Sequence, residues 1–226
     1  MCGRFSLALD WAEMERELPF DHDPGPWLPQ YNIAPGALVL CVAAAGGQRQ
    51  GRLVRWGMVP PWAGEQSSGR ALINARVETV DRKASFRVGL QTGRCLVPAD
   101  SYYEWAPGTA PRQPYRIVPV GHTLLWMAGL YQSWDDRRRE QRVTGLVILT
   151  RSAVPAVAAI HPRMPVILSR ELAEQWLSAR GSEVDPIVRP PWPDPGPLRA
   201  YRVGLAVNRA GQGGRELHAP WADEVT

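Results

Sequence analysis

Proline is the residue type that most limits what this chain can fold into. It occurs 22 times among 226 residues, nearly twice its usual frequency of about 5%. Inside a helix, proline removes a backbone hydrogen bond, and its ring clashes with the preceding turn. The sequence therefore excludes a helix bundle and predicts many loops between short elements.

Between these breaks lie seven or eight short apolar segments that are typical of strands. Helical spacing is confined to 10–18, which opens with a capping-box pattern, to 169–177, and to short stretches near 85–90 and 155–160. Because the strands are not separated by regular helices, we expect one β-rich α+β domain over residues 1–226. The strand candidates are 37–43, 53–58, 95–97, 115–120, 124–130, 146–150, 164–168 and 201–207.

Composition narrows the function. The net charge is +4 and 25 of the 26 basic residues are arginine, which permits an anionic partner but does not require one. No apolar run reaches the roughly 18 residues of a membrane-spanning helix, and the first residues lack the pattern of a signal peptide. Three cysteines without CxxC spacing fit a reducing cytoplasm. We expect no metal site, because the sequence contains no HxH, HExxH or Cys/His cluster. We also expect no cofactor, and the sequence contains no glycine-rich phosphate loop.

The stretch 185–197 is dense in proline. It could be a linker or a polyproline II ligand for a partner. We favour a surface loop inside the domain, because strand-like sequence resumes after it.

Cys2 is the first candidate for chemistry. Removal of Met1 would leave an amino-terminal cysteine, whose α-amine has a pKa near 7.7–8.0 and is partly unprotonated at neutral pH. Such an amine condenses with an aldehyde to an imine, and the neighbouring thiol then closes a thiazolidine ring. An internal cysteine cannot close that ring. The alternative is that Cys2 is only a small residue that follows Met1 and has no functional role.

Three further residues are candidates. Asn74 lies in a segment that, if extended, turns Arg76 and Glu78 to the same face; it could equally cap a turn. Glu104 lies among aromatic residues, an environment that raises a carboxyl pKa and suits general acid catalysis, although an ion-paired glutamate is an alternative. His161 stands between two apolar segments and is the histidine best placed for proton transfer, or else a structural residue.

Taken together, the chain resembles the SOS response-associated peptidase (SRAP) family, whose members cross-link to abasic sites in single-stranded DNA. The resemblance covers most of the chain, in the family's order. Its motifs are MCGRF (1–5), YNIAPG (31–36), RWGMVPPWA (55–63), INARVETV (73–80), RCLVPADSYYEW (94–105) and AIHPRMPVIL (159–168), with a looser AVNRAGQGGREL at 206–217.

The resemblance implies an SRAP-like fold, with mostly antiparallel strands around a barrel-like core and a few flanking helices. It implies that Cys2 is the nucleophile, that Asn74 positions its amine or the opened sugar, that Glu104 is the acid/base, that His161 shuttles protons and that Thr150 supports them. It also implies phosphate contacts from Arg4, Arg76 and Arg163, and apolar contacts to bases from Pro35 and Trp62. After Trp62 the chain departs from some relatives, since AGEQSSGR lacks a second aromatic residue and lysines.

Three functions follow as hypotheses. The first is a cross-linking protein that captures abasic sites in single-stranded DNA during the DNA damage response, as a cytoplasmic, nucleoid-associated monomer. The second is a cysteine peptidase with an amino-terminal nucleophile that chiefly removes its own Met1, with Cys2 and His161 forming an acyl-enzyme. The third is a surface that binds single-stranded nucleic acid without chemistry. Lyase-type activity on the abasic site accompanies the first.

Overall fold

The strand-forming segments assemble into two β-sheets, seen in a computed structural model that describes residues 2–17, 21, 27–59, 71–108, 110–136, 141–179 and 181–221. The helices are α1 (Trp11–Glu17), α2 (Ala84–Thr92), α3 (Pro155–Ala158), α4 (Arg170–Ser178) and α5 (Asp185–Val188). The strands are β1 (Phe5–Leu7), β2 (Gln30–Ile33), β3 (Leu38–Ala45), β4 (Gln48–Trp56), β5 (Asn74–Arg76), β6 (Arg94–Ala99), β7 (Ser101–Trp105), β8 (Pro114–Pro119), β9 (Leu125–Asp136), β10 (Gln141–Ser152), β11 (Arg163–Pro165), β12 (Ile167–Leu168) and β13 (Leu198–Arg202).

Five strands of the larger sheet close into a barrel. β4 pairs with β3, β3 with β6, β6 with β9 and β9 with β10, all antiparallel. β10 then returns to β4 in parallel and closes the ring. Trp56, Leu96 and Met127 are among the fully buried side chains of these strands. The expected α+β class with a barrel-like, mostly antiparallel core is confirmed.

The smaller sheet is antiparallel throughout, in the order β13–β8–β7–β1–β2. Phe5 of β1 packs edge-on against Trp56 of the barrel strand β4, with ring centroids 5.1 Å apart. Both side chains are fully buried. This contact joins the two sheets beside the first residues of the chain.

The predicted helices form, and the predicted caps of α1 and α4 are present. At α1 the backbone N–H of Asp10 donates to the Glu13 carboxylate at 2.9 Å, and the N–H of Glu13 donates back to Asp10 at 2.8 Å. This reciprocal pair satisfies two amide groups that a helix start leaves open. At α4 the Ser169 hydroxyl accepts from the N–H of Leu172 at 3.3 Å. Within the described ranges, no helix is long and apolar enough to span a bilayer.

Two strand predictions need correction. The sequence predicts one strand over 201–207, but the strand β13 ends at Arg202 and a 3-10 helix covers 205–208. The strand ends there because its partner β8 begins at Pro114 and has no further residues with which β13 could pair. The segment 164–168 divides into β11 and β12 at Val166. There the N–H of Val166 donates to Leu149 of β10, and its carbonyl accepts from Ala128 of β9, both at 2.9 Å. The segment thus changes partner from one barrel strand to the next.

The proline-dense segment belongs to the fold. It begins as α5 and continues without regular structure to β13. The buried guanidinium of Arg151, on β10, donates to the Pro193 carbonyl, and Trp192 packs partly buried against the core. The segment is packed within the fold, but the surface-loop prediction needs correction, because it begins as a helix and buries Ile187, Val188 and Pro193.

Candidate active site

The predicted site residues converge where the two sheets meet. The smaller sheet supplies Glu104 on β7, and Cys2 lies three residues before the start of β1. Because the N–H of Tyr103 donates to the Arg4 carbonyl at 2.9 Å, antiparallel pairing brings the residues before β1 alongside Glu104. The larger sheet supplies Asn74 at the start of β5 and His161 between α3 and β11.

Asn74 links the two sheets at this point. β5 runs parallel to β10, with Asn74 opposite Ile148, and this pairing fixes the position of the side chain. The Asn74 Nδ2 donates to the Cys2 carbonyl oxygen at 2.7 Å. The other amide atom, Oδ1, is buried and has no hydrogen-bond partner among the described residues. The amide therefore holds the backbone of Cys2 and keeps one acceptor available beside it.

The Cys2 thiol is completely buried. Its Sγ lies 4.0 Å from the Arg4 carbonyl oxygen, to which it donates a weak hydrogen bond. Burial raises the pKa of the Cys2 thiol well above its usual value, and the nearby Glu104 carboxyl acts in the same direction. This environment keeps the thiol protonated, which is the opposite of what activates a cysteine as a thiolate nucleophile.

Glu104 is a carboxyl group adapted to proton transfer. Only 3% of the residue is exposed. Burial disfavours its charged form and raises the pKa of Glu104 to about 7. Both protonation states are therefore populated at neutral pH, which is the condition for an efficient general acid or base.

His161 approaches Glu104 from the opposite sheet, with its Nδ1 3.8 Å from Oε1 of the carboxyl group. The same Nδ1 lies 3.0 Å from the N–H of Arg163 and 3.1 Å from the Arg163 carbonyl. The N–H donates when Nδ1 is unprotonated, and the carbonyl accepts when Nδ1 carries a proton. Burial lowers the pKa of His161, so that the ring is chiefly neutral at pH 7. The ring thus keeps a backbone partner in either protonation state, which suits a proton shuttle.

A bidentate ion pair supports residues 161–163, which carry the His161 ring and are called the histidine turn below. The Arg163 Nη1 and Nη2 donate to the two carboxylate oxygens of Glu78 at 2.5 and 3.0 Å. Although partial burial raises the pKa of Glu78, the hydrogen bonds from Arg163 hold it below its usual value. Nη2 also donates to the Thr150 carbonyl at 2.6 Å and to its hydroxyl at 3.3 Å. Thr150 is buried on β10 and contacts the site through Arg163.

The arginines that the resemblance assigns to phosphates differ in whether their side chains are hydrogen-bonded to other residues of the protein. The Arg4 guanidinium donates to Asn32 and to the Val207 carbonyl, each at 2.7 Å, and Arg163 is engaged as described. Arg76 is exposed at the end of β5, and its side chain makes no hydrogen bond to any other described residue.

The two apolar residues that the resemblance assigns to bases are less well defined. Pro35 is exposed in the turn between β2 and β3. Trp62 lies outside the described residues.

An open pocket of about 320 Å³ gives access to the acid and the histidine. Glu104 and His161 line it together with three residues that the sequence did not single out, namely Trp105, Arg112 and Asn208. The Trp105 Nε1 donates to the Asn208 Oδ1 at 2.5 Å. Trp105 and Asn208 both lie inside the motifs of the resemblance, which could have indicated that they belong to the site. Arg112 stands outside them and carried none.

A metal ion requires several ligand side chains that lie close together. Within the ranges that the structure describes, no three His, Cys, Asp or Glu side chains gather as metal ligands would. The other two cysteines, Cys41 and Cys95, are fully buried in the barrel away from the pocket lining. The arrangement offers a carboxyl group with a raised pKa and an imidazole at one opening, with the fully buried Cys2 close to the carboxyl group.

Comparison with known proteins gives this geometry a family. An abasic site processing protein of Bacillus subtilis, YoqW, is 35% identical over 223 residues, which are 96% of this chain and 98% of the relative. Escherichia coli YedK, with the same description, is 31% identical and covers 97% of this chain and 100% of its own. A crystal structure from Bacteroides thetaiotaomicron shares the fold with a TM-score of 0.78, at 24% identity and covering 90% of this chain and 93% of its own. The family model described as SOS response associated peptidase (SRAP) matches residues 1–210, and the chain therefore belongs to that family.

Proposed function

We propose that this protein processes abasic sites by capturing them in single-stranded DNA as a thiazolidine DNA–protein cross-link at Cys2, after removal of Met1. The observation that carries the proposal is the Asn74 hydrogen bond of 2.7 Å that fixes Cys2 beside Glu104, whose pKa of about 7 suits proton transfer. The names of the relatives YoqW and YedK, abasic site processing proteins, support the same substrate.

The chemistry balances without a cofactor. An abasic site is a hemiacetal in equilibrium with a small amount of open aldehyde. The Cys2 amine adds to the aldehyde carbon, the carbinolamine loses water to form an imine, and the thiol adds across the C=N bond. The thiol proton passes to the nitrogen as the C–S bond forms. The product is therefore the sum of protein and DNA less one water.

Each neighbouring residue has a proposed part in these steps. Glu104 in its protonated form donates to the sugar ring oxygen as the ring opens, a role that contributes about 10²–10⁴-fold to rate. His161 relays protons between the carbinolamine and Glu104. Asn74 holds the Cys2 backbone, and its free Oδ1 accepts a hydrogen bond from the amine or from a sugar hydroxyl. Thr150 supports the histidine turn through Arg163.

DNA binding is proposed to use charge and shape rather than base sequence. Arg4, Arg76 and Arg163 bind phosphates, Arg76 with its whole guanidinium and the other two with the donors that their internal partners leave or share. Pro35 and Trp62 contact the flanking bases, and stacking on an aromatic ring tolerates any base. We further propose that residues 1–226 act as a single SRAP-like domain, as a monomer associated with the nucleoid in the cytoplasm.

A peptidase that removes its own Met1 is the second candidate, and the family description favours it. The raised pKa of the Cys2 thiol argues against a standing thiolate for attack on added peptides. Removal of Met1 and capture of an aldehyde use the same Cys2, so the two activities are compatible. The third hypothesis, a surface that only binds single-stranded nucleic acid, requires neither removal of Met1 nor capture of an aldehyde.

The test is intact mass before and after incubation with an abasic single-stranded oligonucleotide. We expect loss of Met1, followed by a gain equal to the oligonucleotide mass less one water. Cys2→Ser keeps an amine and a hydroxyl but removes the sulfur, and we expect no heat-stable adduct from it. A heat-stable adduct of Cys2→Ser, or a processed protein that gains no mass, would refute the proposal. Turnover of an added peptide that depends on Cys2 would favour the peptidase.

A further inference from the structure

The pocket beside Glu104 has a second wall, to which the end of β7 and the segment after it contribute. Trp105 ends that strand, and Arg112 lies eight residues beyond Glu104, just before β8. Both line the same opening of about 320 Å³ as Glu104 and His161. A substrate that occupies this opening therefore lies beside Arg112.

The Arg112 guanidinium has no partner among the residues that the structure describes. The residue is exposed, and its side chain forms no hydrogen bond or ion pair with any other residue that the structure describes. This contrasts with Arg4, which is bonded to Asn32, and with Arg163, which is bonded to Glu78. An arginine without an internal partner keeps all five N–H donors for a ligand, in a fork that fits phosphate oxygens.

The backbone of Arg112 is held in place even though its side chain has no partner in the described part of the chain. The Asn208 Nδ2 donates to the Arg112 carbonyl at 3.2 Å, while the Asn208 Oδ1 accepts from Trp105 at 2.5 Å. The next residue, Gln113, donates through its Nε2 to the Val203 carbonyl at 2.8 Å. The segment is thus anchored to the chain around 203–208, and the base of the Arg112 side chain is fixed at the rim of the pocket.

We propose that Arg112 binds a DNA phosphate that borders the abasic nucleotide, on the wall of the pocket formed with Trp105 and Asn208. The inference rests on the proposed function, because an abasic sugar in the pocket has its nearest negative charges on its two flanking phosphates. With Arg76 exposed on β5 of the other sheet, Arg112 supplies a cation from the smaller sheet. The strand would then be held from both sheets with the sugar between them.

The test compares Arg112→Ala and Arg112→Lys with Arg87→Ala. Arg87 is an exposed arginine on α2, outside the site, and is the matched control. Cross-linking rate is measured against oligonucleotide concentration and salt, with single-stranded abasic DNA. For Arg112→Ala we expect the half-saturating concentration to rise about tenfold and the slope of log affinity against log salt to flatten by about 0.7, the value of one phosphate contact on a single strand. The maximal rate should change little. Arg112→Lys should restore the slope, and Arg87→Ala should leave every value unchanged.

Phosphate identity is tested with oligonucleotides that carry one neutral methylphosphonate at each position around the lesion. At one flanking position the wild type should lose the same tenfold, and Arg112→Ala should lose nothing more. An unchanged slope in Arg112→Ala, or additive losses at every position, would overturn this inference while leaving the cross-link intact. Failure of the wild type to form any adduct would instead refute the proposed function.

Discussion

The side-chain amide of Asn74 donates a hydrogen bond of 2.7 Å to the carbonyl oxygen of Cys2, and so β5 of the larger sheet holds the backbone that leads into β1 of the smaller sheet. Asn74→Asp keeps the size of the side chain but replaces the donor with a carboxylate that repels the carbonyl. A single hydrogen bond is worth about 1 kcal/mol, but misplacing a reacting group by about 1 Å costs about 10²-fold in rate. We therefore expect a larger loss in rate than in stability.

The measurement is the single-turnover rate of adduct formation at saturating abasic oligonucleotide. Asn74→Asp and Asn74→Ala should both be slower by about 10–10²-fold. Gln91→Ala removes an exposed amide on α2 and serves as the control that should keep the full rate. If Asn74→Asp cross-links as fast as the wild type, the hydrogen bond does not position the reacting group.

The second prediction concerns the dependence of cross-linking on pH. The attacking amine must be unprotonated and has a pKa near 7.7–8.0, while Glu104 must be protonated and has a pKa of about 7. The rate should fall below about pH 7 as the amine gains a proton and above about pH 8 as Glu104 loses one. The profile is therefore a bell with its maximum between these values.

Glu104→Gln tests the assignment of the limbs. It should lower the maximal rate by about 10²-fold and abolish the decline on the alkaline side. The acid limb, which belongs to the amine, should remain. A flat wild-type profile from about pH 5 to 9 would contradict the assignment of both groups.

Glu104 also links pH to stability. Its pKa is raised from 4.5 to about 7 on folding, so between these values the folded protein holds a proton that the unfolded chain has lost. Stability therefore falls as pH rises from about 4.5 to 7, by about 3 kcal/mol if Glu104 acted alone, and changes no further above pH 7. Below pH 4.5 both states are protonated, so the stability that is lost at higher pH is fully present and Glu104 causes no further change.

Urea unfolding at several pH values measures this effect. Glu104→Gln has no carboxyl group to ionise, and its free energy of unfolding should lack this decline. At pH 8 it should be more stable than the wild type by up to about 3 kcal/mol, while its cross-linking is impaired. Equal stability of the two proteins at pH 8 would show that the buried carboxylate is compensated.

The elements that sequence could predict are those whose pattern is local. Residues close together in the sequence predict α1 and α4. The capping box of Asp10 and Glu13 predicts α1, and the apolar face of α4 predicts that helix. Several barrel strands contain apolar runs, such as β3, which is buried over most of its length. The short strands β1 and β7 were not predicted, because their pairing joins residues about 95 positions apart and leaves no periodic signal.

The site divides in the same way. Motifs pointed to Cys2, Asn74, Glu104 and His161, and the structure brings these four together at the meeting of two sheets. The sequence could not predict that the His161 ring contacts both the N–H and the carbonyl of Arg163, or that the Arg163 side chain pairs with both carboxylate oxygens of Glu78. Both depend on how the elements are placed in three dimensions. Arg112 lies in no motif, and only the pocket reveals it.

The last prediction separates two roles of Arg163. Its two hydrogen bonds to Glu78, at 2.5 and 3.0 Å, and its bonds to Thr150 tie the histidine turn to β10. The two side chains are 15% and 30% exposed, so solvent weakens the ion pair only in part. Arg163→Ala and Glu78→Ala should each lower the free energy of unfolding by about 1–2 kcal/mol.

DNA binding should distinguish the two variants. If Arg163 shares its donors with a phosphate, Arg163→Ala also flattens the salt dependence of abasic oligonucleotide binding by about 0.7. Glu78→Ala removes no cation and should leave that slope as it is, although the turn is equally weakened. Binding is measured by fluorescence anisotropy with Cys2→Ala as background, so that no covalent product accumulates. Identical slopes for the two variants would assign Arg163 to holding His161 in place, with no contact to DNA.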